Sequence, residues 1–82
     1  MIKEFAVIHN SLLENFYFNN EARPESKELN LRALTEAMHH LLFVTQCIED
    51  SSVGLLLAAS CTELQAGRIP GAFPIEQWME AA

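Results

Sequence analysis

Basic residues are scarce in this 82-residue chain: five Lys and Arg stand against eleven Asp and Glu, a formal charge of −6 with neutral histidines. Phosphate contacts need clustered Lys and Arg, so direct nucleic-acid binding is disfavoured. The imbalance is concentrated toward the end, where Leu42 to Ala82 holds Glu49, Asp50, Glu63, Glu76 and Glu80 against Arg68 alone. An acidic surface is the ordinary state of a soluble protein, and attraction of a basic partner is the narrower alternative.

Glycine is scarce as well. Three glycines cannot build a phosphate cradle beyond a helix cap, no serine sits in a nucleophile elbow, and catalysis has no positive support. Long hydrophobic runs are missing: the charge-free stretches Ala37 to Ile48 and Ser51 to Thr62 are twelve residues each, short of the roughly 18 to 20 that a membrane span needs. Met1-Ile2-Lys3-Glu4 lacks the basic, apolar and small-residue series of a secretory leader, so the expected location is cytoplasmic. The two cysteines, Cys47 and Cys61, have no CxxC spacing and read as free thiols. In an antiparallel hairpin Cys47 faces about residue 55 or 56, leaving Cys61 about 8 Å away at ~1.5 Å per residue.

What is present is apolar and helical in period. Half of the residues are hydrophobic, which excludes disorder, and a chain this short makes one domain, 1–82. The spacing predicts an all-α fold: a helical hairpin over about 27–49 and 53–66, an N-terminal helix and a short C-terminal helix, with connectors at 19–25 and 68–73. In the first helix Ile2, Phe5, Ile8 or His9, Leu12 and Phe16 step by three and four; a strand around Phe5 to Ile8 is the rival reading. Asn19-Asn20 ends that element, and Pro24 biases Arg23 away from helical angles. Ser26 caps the next helix, Asp50-Ser51-Ser52 supplies cap-type side chains between the two hairpin helices, and Gly67 and Pro70 close the second. Pro74 then suits the first position of a helix carrying Ile75, Trp78 and Met79 on one face.

Both hairpin helices are apolar on two sides. Leu34, Met38, Leu41, Thr45 and Ile48 form one stripe, matched across the hairpin by Val53, Leu57, Ser60 or Cys61, and Leu64. A second pair of stripes remains: Ala33, Ala37, His40, Val44 and Cys47 on one helix, and Leu55, Ala59, Thr62 and Ala66 on the other. A contiguous exposed apolar patch of several hundred Å² is uncommon in a monomer, so these residues are the expected interface, completing a bundle by dimerisation. The competing arrangement folds both terminal segments over the hairpin.

Few residues carry chemistry. Glu36-Ala37-Met38-His39 has the Glu-x-x-His spacing of carboxylate-bridged metal bundles, but those need a second copy and further inward glutamates, and here the pair falls on the polar face with Arg32 and Asp50. A hydrogen-bonded structural histidine is the plainer reading of His40, a titrating interface histidine the sharper one. The Ile75, Trp78, Met79 face suits docking into a partner groove, or onto the chain's own hairpin.

The leading functional expectation is a non-catalytic helical interaction or regulatory protein that binds itself or another protein through apolar helix faces, with no cofactor and no metal. The alternative is a metal-binding bundle using Glu36, His39 and His40, with Glu63 as a further ligand. A third class, small-molecule sensing between protomers near Met38, Phe43 or Leu57, has nothing for or against it.

Overall fold

The computed structural model describes residues 2–47 and 51–77, with side chains described for 4–47 and 53–77. Three long helices form the fold: α1 over Ile2–Ala22, α2 over Lys27–Cys47 and α3 over Ser51–Gln65. The hairpin is α2 followed by α3, and α1 packs antiparallel along α2. The strand alternative for the first residues is thereby set aside, since helical winding is continuous from Ile2.

Two boundaries differ from expectation. α1 runs through Asn19-Asn20 to Ala22, because the Arg23 amide still closes onto the Asn19 carbonyl at 2.9 Å and the Asn20 side chain accepts a bond from Asn30 on α2 at 2.8 Å. The break comes instead at Arg23 (φ −142, ψ 77), the residue that Pro24 pushes out of the helical region. A 3-10 turn, Pro24–Ser26, then leads directly into α2, so Ser26 lies inside the winding rather than ahead of it as a cap. α3 begins at Ser51, two residues before Val53. Ile48, Glu49 and Asp50 lie outside the described residues.

The seam between α2 and α3 follows the heptad-spaced pattern. Leu34, Met38, Leu41 and Thr45 are buried against Val53, Leu57, Ser60, Cys61 and Leu64. On α1 the buried positions are Ala6, His9, Leu13 and Phe16, again stepping by three and four. This choice settles the Ile8-or-His9 ambiguity for His9, with Ile8 45% exposed and Phe5 and Leu12 half-buried on the flank.

α1 meets α2 along its length but touches α3 only lightly. The gap between α1 and α3 is filled by residues 68–74, of which 68–73 are expected from the sequence to be a mere connector. Gly67 (φ 82) reverses the chain at the end of α3: its amide bonds the Leu64 carbonyl at 3.1 Å, and the Arg68 amide bonds the Glu63 carbonyl at 2.9 Å. That is a Schellman C-cap, with glycine at the one position requiring a left-handed backbone. Ile69 then packs on the Leu13, Phe16, Met38 and Cys61 cluster, Pro70 is buried, and Phe73 packs on Leu41, Val53 and Leu57. Helical winding resumes at 75–77, where the Ile75 and Gln77 amides bond the Phe73 and Pro74 carbonyls. Trp78 and Met79 lie outside the described residues.

Candidate functional site

The densest polar cluster is one that charge and motif reading passed over. His9, fully buried on α1, has its Nε2 2.8 Å from Ser60 Oγ on α3 and its Nδ1 2.9 Å from Asn10 Oδ1. Phe73 stacks face to face on the imidazole, centroids 3.6 Å apart and planes 3° from parallel. The Asn10 side chain reads the backbone of the same residue twice: Oδ1 accepts from the Phe73 amide at 2.8 Å, and Nδ2 donates to the Phe73 carbonyl at 3.0 Å.

These bonds fix the protons. An amide N–H donates only, so the Asn10 atom facing the Phe73 N–H is the oxygen. His9 Nδ1 faces that same oxygen and therefore carries the hydrogen, leaving Nε2 to accept from the Ser60 hydroxyl. The neutral imidazole satisfies every group in the cluster, and among the described residues no buried side-chain nitrogen or oxygen lacks a partner. Burial holds the His9 pKa below its ordinary 6.5, with the Asn10 bond opposing that shift.

The chain Ser60 to His9 to Asn10 has the order of a nucleophile, base and orienter. Its packing serves another purpose: His9 is covered by Phe73, and Ser60 is buried in the middle of α3. What the arrangement does is hold a non-helical segment. Two backbone bonds at ~0.5 to 1.5 kcal/mol each and a ring stack of ~0.5 to 1.5 kcal/mol fasten residues 68–74 into the α1–α3 groove. One signal for it existed in the sequence. A serine at a core position of α3 demands a polar partner, and a histidine in the apolar face of α1 is the natural one.

The expected interface residues are distributed unevenly. Ala33 and Ala37 border the groove between α2 and α1, opposite Leu12 and Phe16, and Val44 is half-buried on the same flank. His40 and Cys47 are exposed. On α3, Leu55 is 75% exposed, and Ala59, Thr62 and Ala66 are exposed along the same face. Of the docking face Ile75, Trp78 and Met79, only Ile75 is described, and it is half-buried.

His39 corrects its expected place on the polar outer face. It is half-buried and bridges the hairpin: Nδ1 donates to the Thr35 carbonyl at 2.8 Å, and Nε2 accepts from Gln65 on α3 at 3.3 Å. Its flank of α2 turns toward α3, and the long Gln65 side chain reaches across. Glu36 is exposed, and among the described residues no group of three His, Cys, Asp or Glu side chains gathers at one point. Both cysteines are free, and burial raises the Cys61 thiol pKa. No helix among the described residues is long and apolar enough to cross a membrane.

The fold defines a small three-helix bundle closed by a C-terminal strap. No family model, curated protein or solved structure matches the chain.

Proposed function

We propose that this chain is a small non-catalytic helical interaction protein, acting in the cytoplasm, that binds a protein partner through the outer face of α3, with a second copy of itself as the first such partner. One observation carries the reading. With the strap seated between α1 and α3, the face Leu55, Ala59, Thr62 and Ala66 is left exposed, and Leu55 alone presents three quarters of its surface. Small residues around a single large apolar one permit close approach of a second helix. Phe43, 62% exposed on the outer side of α2, adds apolar surface to the hairpin's exterior.

The test is sedimentation of wild type and Leu55→Glu across micromolar concentrations. Wild type is expected to associate while the variant stays at the 9.2 kDa chain mass with an unchanged melting temperature. A wild-type chain that remains at 9.2 kDa across that range removes self-association and leaves only a different protein as partner.

A further inference from the structure

The strap differs from the rest of the bundle in how it is held. Helices α1, α2 and α3 are joined by contiguous apolar stripes, whereas residues 68–74 are recognised at discrete points. Asn10 pairs with both backbone groups of Phe73, His9 stacks on its ring, Pro70 is buried, and Ile69 enters the lower cluster. An amide side chain that pairs with a backbone N–H and C=O together reads a peptide in the way a neighbouring strand would. The groove is therefore a receptor for a non-helical, proline-flanked aromatic segment, and the chain carries its own ligand.

We propose that the α1–α3 groove also accepts this segment in trans, from a second copy of the chain, so that two molecules exchange their 68–74 straps. The second copy is the occupant because its strap is identical to the one already seated in the groove, bond for bond. The hinge is the Gly67 reversal. Among the described residues, two C-cap bonds and the exposed Arg68–Glu63 ion pair set the direction in which the chain leaves α3. Opening that cap leaves α1, α2 and α3 intact, and exchanging an identical element is a low-cost route to a dimer. A strap tethered by so short a link competes at millimolar effective concentration, which keeps dilute wild type closed on itself. The exchanged form belongs to high local concentration or to a chain whose own latch is broken.

Complementary variants test this directly. Asn10→Ala keeps the strap and loses the two backbone bonds of the receptor; Phe73→Ala keeps the receptor and weakens its own strap by removing the ring stacked on His9. Both full-length chains carry Leu55→Glu, which removes the α3 face, so that association through that face and association through the strap are read separately. Each variant alone is expected to sediment at 9.2 kDa, and an equimolar mixture to form a 1:1 heterodimer of twice that mass. In the mixture alone, amide exchange at residues 69–73 of the Asn10→Ala chain is expected to slow at least about tenfold, the slowing a ~1.4 kcal/mol closure gives. Circular dichroism establishes that each variant keeps its helices; should Asn10→Ala lose them, Asn10→Leu replaces it. A mixture of folded variants that stays at 9.2 kDa up to millimolar concentration overturns the proposal, as does a heterodimer with no slowing at 69–73.

Discussion

The α2–α3 seam and the α1–α3 groove solve the same problem, covering an apolar helix face, by different physics. In the seam, two helices lie against each other and bury Met38, Leu41, Val53 and Leu57. The gain is area removed from water, about 25 cal/mol per Å², and it is spread over many positions. In the groove the helices meet at fewer points, and a non-helical segment with few backbone bonds of its own lies against both, fixed by Asn10 and His9. Stability in the seam is therefore distributed, and in the groove it is concentrated on single residues. The comparison predicts a graded set of responses, led by the seam.

Met38 is fully buried within the larger core cluster, in contact range of α1 and α3 together. Met38→Ala is expected to lower unfolding free energy by about 2 to 5 kcal/mol, the range for deleting a buried aliphatic side chain and leaving a cavity. In an 82-residue domain that is a large share of total stability. Chemical denaturation followed by circular dichroism measures it. A loss under about 1 kcal/mol would mean that the seam collapses around the gap and is not the principal core.

The strap comes next. Phe73 is half-buried, so Phe73→Ala is expected to cost about 1 to 3 kcal/mol, less than a fully buried aromatic. The distinguishing readout is spatial: amide exchange in the α2–α3 seam stays slow, while α1 and residues 68–77 exchange faster. If the seam loosens equally, the groove and the seam are one cooperative unit and the contrast between them fails.

These two regions also differ in how far they can be read from sequence. The seam is legible because its signal is periodic: Leu34, Met38, Leu41 and Thr45 repeat every three or four residues, and so do Val53, Leu57, Ser60 or Cys61, and Leu64. The face of α1 is legible to within one residue, since both Ile8 and His9 fit a three-and-four step, and only the presence of Ser60 opposite decides for the histidine. The latch is not periodic at all. Asn10 and Phe73 stand 63 residues apart, and nothing in the spacing of either announces the other. The departure of Arg23 from helical angles, by contrast, is legible from Pro24 because that restriction is local, although the expected helix end at Asn19-Asn20 falls short of Ala22.

Acidity separates the regions further. His9 is buried neutral with a depressed pKa, so the folded state binds fewer protons than the unfolded chain near pH 6. The contribution of His9 is complete above its ordinary 6.5 and declines as pH falls from there toward the folded value. Among the described residues the partners of His9 are Asn10, Ser60 and Phe73, all neutral, and Glu63, one turn beyond Ser60, is engaged by Arg68. Denaturant midpoints measured from about pH 8 to pH 5 should therefore fall for wild type and stay flatter for His9→Gln, which starts lower. Equal slopes for the two chains would assign the acid sensitivity to groups other than His9.

The smallest effect belongs to the Arg68–Glu63 pair, where the strap leaves α3. Its geometry is good: Arg68 Nε donates to Glu63 Oε2 at 2.7 Å, and a second guanidinium nitrogen donates to Oε1 at 3.2 Å. The Arg68 bond holds the Glu63 carboxyl below its ordinary pKa of 4.5, so this contribution is present above that pH and disappears below it, in a window separate from that of His9. Both side chains are exposed, however, and solvent and salt screen what the pair gains. Glu63→Gln should shift the melting temperature slightly in low salt and not at all in high salt, because Gly67 and the two backbone cap bonds alone suffice to turn the chain. A large, salt-independent loss would place the control of the strap at its hinge instead of at Asn10 and His9, and the groove would then be held shut by the turn that enters it.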